Sequence, residues 1–256
     1  MHITLIKRIG SGSYGVVYEG IWITNARKCV KVAVKCLEKG NNEDSETNIF
    51  REIRNLQELN HENIVTFHDA YRQKNICLIF EYSDCGSLYD YLQKKIVRVS
   101  NIEKLHWMLQ WANGMEYLHS KKTIHRDLKP QNLLLFNNYR TLKICDFGTV
   151  KQYATENTEL IGTIGYMAPE VCSEEREFTK ESDIYSFGII MWEIVTAKNP
   201  VVEFKNKQPS TIMKIINDTI HTRTSDIRKI RNAIEDCLKT AEYRPDTKEL
   251  IRMLIS

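Results

Sequence analysis

The hydrophobic period of this chain changes from two to about 3.6 near residues 81–86. Before this segment, runs such as 16–22 are short, rich in β-branched and aromatic residues, and separated by turn-prone residues, which is typical of an antiparallel β meander. After it, apolar residues recur at helical spacing, as at 184–194. The change predicts an α+β fold with a small β-rich lobe at 1–82 and a larger, mainly helical lobe at 83–256.

One helix is predicted inside the β-rich lobe. An acidic segment favours a helix start, and the apolar residues of 49–59 then follow at three- and four-residue spacing, which predicts a helix of about fifteen residues. Strand-like runs at 64–67 and 76–80 complete this lobe. The whole chain is therefore expected to form one domain of two parts.

Composition excludes several classes of protein. Hydrophobic residues make up 42% and charged residues 27% of the 256 residues, with no apolar run of membrane-spanning length, so a soluble protein without a membrane partner is expected. The net charge of +3 is spread along the chain, which gives no support for nucleic-acid binding. The seven cysteines lack metal-ligand spacing, which favours reduced thiols. A strand-like run starts almost at Met1, where a secretory signal would be expected to stand, and this favours a cytoplasmic protein.

The segment with the strongest chemical signal is 125–132, His-Arg-Asp-Leu-Lys-Pro-Gln-Asn. Asp127 can accept a proton from a substrate hydroxyl, and Lys129 can neutralise charge on a phosphoryl group in transfer. An eight-residue match at defined offsets rarely arises by chance. The segment therefore predicts a catalytic loop for phosphoryl transfer.

A metal site is predicted between this loop and the Asp-Phe-Gly that follows at 146–148. The intervening residues contain two apolar runs around a turn at Asn137-Asn138, which indicates a β-hairpin. Such a hairpin would bring the hard oxygen ligands of Asn132 and Asp146 to one Mg²⁺.

A glycine-rich loop at 10–17 fits the pattern GxGxxGxV, in which missing β-carbons let backbone amides approach phosphate oxygens. A P-loop would need Lys and Ser/Thr where Val16 and Val17 stand. A dinucleotide-binding turn would need an acid where Lys35 stands, and a helix instead of the β-forming valines. A phosphate loop between two strands is the interpretation that remains.

Lys35 lies on a predicted strand between apolar neighbours, where a lysine is costly to bury without a partner. Glu52, on the predicted helix, is the candidate partner. As isolated residues both could equally be exposed charges, and the order of the other motifs favours the pair.

These motifs, in this order, resemble the protein kinases. The resemblance implies a bilobal fold, ATP and Mg²⁺ as cofactors, and transfer of the γ-phosphoryl to a protein hydroxyl. Asp-Leu-Lys-Pro-x-Asn at 127–132 and Gly-Thr at 162–163 resemble the serine/threonine class. The resemblance to the protein kinases further implies that Glu170 pairs with Arg244 and that Asp183 holds the catalytic loop. Lys35 and Glu52 join Asp127 and Lys129 as catalytic residues, and nucleotide binding falls on Ile9, Gly10, Ser11, Gly12, Ser13, Tyr14, Gly15, Val17, Ala33, Lys35, Phe80, Glu81, Ser83 and Leu134.

The sequence is most similar to the TGF-β-activated kinase group of MAP kinase kinase kinases, through segments such as 76–82 and 142–149. This implies a MAP kinase kinase as substrate in stress or immune signalling, and an activating partner protein. The candidate activation-loop phosphoacceptors are Thr155, Thr158 and Thr163, and Arg126 could pair with a phosphate there. The alternative is a pseudokinase or scaffold with the same fold, favoured by differences from the group after about residue 199.

Overall fold

The computed structural model describes residues 2–12, 15–24, 26–37, 43–94, 97–146, 164–172, 178–205, 207–220 and 225–256. These residues fall into two compact units, with the described part of 2–84 in the first and of 85–256 in the second. The first is a β-sheet with one helix and the second is mainly helical. The predicted α+β class is therefore confirmed.

The sheet unit is a five-stranded antiparallel sheet in the order β1-β2-β3-β5-β4. The first three strands form the predicted meander, and the predicted helix follows the third. Its elements are β1 (His2–Gly12), β2 (Gly15–Ile23), β3 (Cys29–Leu37), α1 (Glu43–Glu58), β4 (Phe67–Arg72) and β5 (Ile76–Glu81).

The strand predicted at 64–67 was wrong, because β4 begins only at Phe67. Ile64 and Val65 are instead buried in the core before the strand, with exposures of 1% and 4%. A short apolar run does not distinguish a strand from a buried connection.

The two faces of the sheet differ in character. Val32, Val34 and Ile79 are fully buried on one face and form its hydrophobic core. Side chains alternate along a strand and direct partners in an antiparallel pair share a face. Val17 and Lys35, which are partners on β2 and β3, therefore lie on the opposite face. We call this opposite face the polar face.

Cys36 and Cys77 correct the expectation that the thiols are reduced. They are register partners on β3 and β5, and the structure joins them in a disulfide. Direct partners on antiparallel strands bring their β-carbons close enough for such a bond. Sequence spacing gives no sign of this pairing, since the two cysteines are 41 residues apart.

The helical unit contains seven of the described helices and one β-hairpin. Side-chain caps begin its two longest helices: Ser100 and Glu103, for example, form a capping box that satisfies backbone amides of the first turn. The elements are α2 (Leu88–Lys94), α3 (Asn101–Ser120), β6 (Leu133–Phe136), β7 (Thr141–Ile144), α4 (Lys180–Thr196), α5 (Pro200–Glu203), α6 (Pro209–Thr219), α7 (Ser225–Cys237) and α8 (Thr247–Ile255).

Helix α4 lies at the centre of this unit. Every residue from Ser182 to Ile194 is buried, whereas the sequence pattern predicted only one apolar stripe. Packing on all sides explains the difference, with Phe187 stacked on Trp111 of α3 at a ring separation of 3.9 Å. Polar side chains on α4 are thus held inside the protein, where they need partners. None of the helices described here is long and apolar enough to cross a membrane.

Candidate active site

The predicted catalytic loop is anchored to the buried helix α4. The carboxylate of Asp183 accepts hydrogen bonds from the backbone amides of His125 at 2.8 Å and Arg126 at 3.0 Å. The expected role of Asp183 is therefore confirmed. Arg126 has a φ of 70°, a left-handed conformation that is unfavourable for arginine. The two hydrogen bonds stabilise the loop in this conformation.

A third partner of Asp183 was not predicted. His119, in the last turn of α3, places its ring Nε2 at 3.0 Å from Asp183 Oδ2, and both residues are almost completely buried. A buried carboxylate is costly unless its oxygens are satisfied. A histidine near the end of an amphipathic helix gives no sequence signal for this contact.

Asp127 lies in a compact polar arrangement. Its Oδ2 is 3.0 Å from Lys129 Nζ and 3.1 Å from Asn132 Nδ2, which also donates to the Asp127 carbonyl at 2.8 Å. The three predicted residues are thus brought together within one loop. The ammonium and amide groups hold the carboxylate in a fixed orientation.

Asp146 follows the predicted hairpin, which the structure confirms. Leu133 of β6 pairs with Ile144 of β7, and the amide of Cys145 donates to the Asn132 carbonyl at 2.9 Å. The pairing therefore continues to the residue directly before Asp146. Asp146 itself has a φ of 58°, a left-handed conformation of the kind found at functional sites.

The residues present fit a magnesium site in which the protein supplies few ligands. Asn132 uses its amide nitrogen as a donor to Asp127, so its amide oxygen is the atom with the chemistry of a metal ligand. No described residues form a group of three or more His, Cys, Asp or Glu around one point. Mg²⁺ bound with nucleotide needs only one or two such ligands, because phosphates and water complete its shell.

The expected ion pair between Glu170 and Arg244 is confirmed. Arg244 is buried, contacts both carboxylate oxygens of Glu170, and also donates to the carbonyls of Glu181 and Lys239. Burial alone would raise the pKa of Glu170, but its hydrogen bonds with Arg244 hold that pKa below the usual value. The pair stabilises the segment after 164 against α4.

A second contact with this segment was missed by the sequence analysis. The Tyr166 hydroxyl donates to Glu193 of α4 at 2.8 Å, and both side chains are buried. Burial raises the pKa of Glu193 to about 7, although the Tyr166 hydroxyl opposes this. One sequence signal was available, namely an acid inside the apolar run of α4.

Four nucleotide-binding candidates of the sheet unit share the polar face, namely Val17, Ala33, Lys35 and Phe80. Glu19 pairs with Ala33 on β3, and Ala33 with Phe80 on β5. Lys35 is half-buried on this face and Glu52 is buried on α1. Leu134, in the helical unit, is half-buried on β6 and bridges to Ser87.

Position 15, at the end of the phosphate loop, requires glycine for structural reasons. Its φ is +142°, and a β-carbon there would stand 2.1 Å from the Cys36 carbonyl oxygen. Gly12 pairs with Gly15 across the β1-β2 hairpin. The predicted residues that lie outside the described part are Ser13, Tyr14, Thr155, Thr158 and Thr163.

Comparison with known families agrees with this arrangement. Residues 3–254 match the family described as protein tyrosine and serine/threonine kinase. The chain therefore belongs to the protein kinase family, and the predicted family and kinase fold are confirmed.

Individual relatives indicate the group within that family. A mitogen-activated protein kinase kinase kinase 7-like protein of Drosophila melanogaster is 34% identical over 259 residues, covering 97% of this chain and 64% of that protein. Mitogen-activated protein kinase kinase kinase 7 is 34% identical in D. melanogaster, covering 98% of this chain and 37% of the relative, and 34% identical in Homo sapiens, covering 96% and 40%. The chain thus spans less than two thirds of each relative's length. These relatives confirm the predicted resemblance to the TGF-β-activated kinase group of serine/threonine kinases.

Proposed function

We propose that the protein is a serine/threonine kinase that transfers the γ-phosphoryl of Mg-ATP to a hydroxyl of a protein substrate. One observation carries the proposal: Asp127 is held by Lys129 and Asn132 in a loop whose backbone is bound to the buried Asp183. Such fixed positioning is the main contribution that a protein makes to phosphoryl transfer.

In this mechanism Asp127 orients the attacking hydroxyl and accepts its proton. Lys129, at 3.0 Å from Asp127, neutralises charge that develops on the phosphoryl oxygens. Asn132 and Asp146 would hold Mg²⁺, which supplies further charge neutralisation on the phosphates when bound. Lys35, paired with Glu52, would hold the α- and β-phosphates.

The proposed nucleotide site uses the phosphate loop and the polar face. The loop would cover the phosphates, Val17 and Ala33 would contact the adenine from the sheet unit, and the backbone of Glu81 and Ser83 would bind the adenine edge. Ile9 and Phe80 would add further adenine contacts on the sheet unit, and Leu134 is the adenine-contact candidate of the helical unit. We propose residues 1–82 and 83–256 as the two lobes of one kinase domain.

The proposed substrate is a MAP kinase kinase, since the relatives are named as MAP kinase kinase kinases. An activating partner protein, phosphorylation of Thr155, Thr158 or Thr163, and a cytoplasmic location belong to the same proposal. Nucleic acid and membranes have no part in it. The pseudokinase alternative is not favoured, because Lys35, Asp127, Asn132 and Asp146 are all present.

The test is transfer of ³²P from [γ-³²P]ATP to a MAP kinase kinase in the presence of Mg²⁺. We expect Asp127→Asn to lower the rate by at least about a thousand-fold, because the proton acceptor is lost while the loop is kept. Asp218→Asn, on the exposed surface of α6, is the matched control and should keep the wild-type rate. Equal background labelling by wild type and Asp127→Asn would contradict the proposal and favour a scaffold.

A further inference from the structure

A polar cluster centred on Glu19 lies on the polar face of the sheet unit. Glu19 is only 7% exposed, and its carboxylate lies 2.9 Å from Lys31 Nζ and 3.4 Å from Lys7 Nζ. The Tyr82 hydroxyl donates to the same carboxylate at 3.0 Å. The Lys31 ammonium also lies over the Tyr82 ring, 4.1 Å from its centre. Glu19 therefore joins three strands to the segment that follows β5.

The position of this cluster is more informative than its charges. Glu19 is the direct partner of Ala33 and lies two residues from Val17 on the same strand, so it shares a face with both proposed adenine contacts. Tyr82 stands between Glu81 and Ser83, whose backbone groups are the proposed partners of the adenine edge. We call residues 81–83 the linker, and the cluster thus reaches the linker at its middle residue.

The linker is fixed at a second point close by. The amide of Glu81 donates to the Thr66 carbonyl at 3.0 Å, and the Glu81 carboxylate accepts from the Thr66 amide at 2.6 Å. These bonds hold the first linker residue at the end of β5. The hydroxyl of Tyr82 then fixes the next residue against β2.

We propose that Glu19 is a positioning residue for the nucleotide: it holds Tyr82, and through Tyr82 it keeps the linker in the conformation that binds adenine. The inference rests on the proposed function, since it specifies a residue of the same nucleotide site. Glu19 itself does not touch the nucleotide. Its effect is preorganisation, because a linker that is already ordered loses less conformational freedom on binding.

The ion pairs alone do not explain the cluster. Lys7 and Lys31 have side-chain exposures of 64% and 47%, and ion pairs of exposed lysines contribute little to stability. The hydrogen bond with Lys31 lowers the pKa of Glu19 against the opposing effect of burial, so the carboxylate remains charged as the acceptor for Tyr82. The Glu19 carboxylate, which Tyr82 shares with the two lysines, is therefore the feature that acts on the linker.

The test combines Glu19→Ala, Tyr82→Phe and the double variant. We expect each single variant to raise the KM for ATP about ten-fold with kcat changed by less than about two-fold, because binding is lost without loss of chemistry. The double variant should be no worse than Glu19→Ala, since both changes break one contact. Tyr71→Phe, which alters another half-buried tyrosine of the same sheet, is the control and should leave KM unchanged.

A second measurement separates this inference from the proposed function. Hydrogen exchange of the amides of residues 81–84, followed by mass spectrometry without nucleotide, should be faster in Glu19→Ala and Tyr82→Phe than in wild type and Tyr71→Phe. Unchanged exchange, or fully additive effects on KM, would overturn the inference even in an active kinase. If the wild type proves inactive, the proposed function fails, and exchange alone still decides whether Glu19 positions the linker.

Discussion

The loop that carries Asp127 and the face that carries Lys35 are positioned in different ways. The loop belongs to the helical unit, where Asp183 on a fully buried helix binds its backbone directly. The polar face belongs to the sheet unit, where strand register places each side chain and the two lysines that contact Glu19 are exposed. Polar residues beneath the loop are therefore inseparable from folding, whereas those of the polar face can be changed with the sheet intact.

Asp183→Ala tests the buried contacts beneath the catalytic loop and has the largest expected effect on stability. Two backbone amides and His119 would lose a buried acceptor, so we expect a loss of about 4 kcal/mol in the free energy of unfolding. Urea unfolding, monitored by circular dichroism, measures it. Asp218→Ala on exposed α6 should change stability by less than about 0.5 kcal/mol. Similar values for both variants would show that the catalytic loop is held by other contacts.

Glu193→Gln tests how a buried side chain of α4 makes the free energy of unfolding depend on pH. Burial raises the pKa of Glu193 to about 7 from an ordinary value of 4.5, so the folded protein holds this proton more tightly than the unfolded chain. The stability that the protonated carboxyl contributes is fully present below pH 4.5 and is lost as pH rises through 7. The integrated effect is about 3 kcal/mol.

The glutamine variant should lack this dependence. Its free energy of unfolding, relative to wild type, should therefore rise between pH 4.5 and 7.5. Chemical denaturation of both proteins at several pH values measures the difference, and Glu235→Gln on α7, which is partly exposed, serves as the control. A constant difference across this range would mean that Glu193 titrates normally.

Much of both units could be predicted because the signals were local. Alternation predicted the meander, helical spacing predicted α1, and the turn at Asn137-Asn138 predicted the hairpin before Asp146. The loop residues Asp127, Lys129 and Asn132 were found because they lie within one short motif. Local pattern was misleading only where burial depended on distant residues, as at Ile64, which is core without being strand.

The unpredicted contacts join residues far apart in the chain. His119 meets Asp183 across 64 positions, and Tyr82 meets Glu19 across 63. No periodicity reports such pairs, because each residue satisfies its local pattern without the other. Charge alone was also ambiguous, since a strand glutamate such as Glu19 is more often exposed than buried.

Gly15→Ala extends the comparison to the backbone of the sheet unit and should have the smallest of these effects on stability. The added β-carbon would meet the Cys36 carbonyl oxygen, and φ is positive. We expect a loss of about 2 kcal/mol in stability. Gly10→Ala is the matched control, because its β-carbon would only touch Val17 at an ordinary distance of 3.8 Å. Differential scanning fluorimetry of both variants measures the effect. If both melt alike, backbone register at Gly15 is less strict than the strand pairing indicates, and the sheet tolerates side chains where the phosphate loop ends.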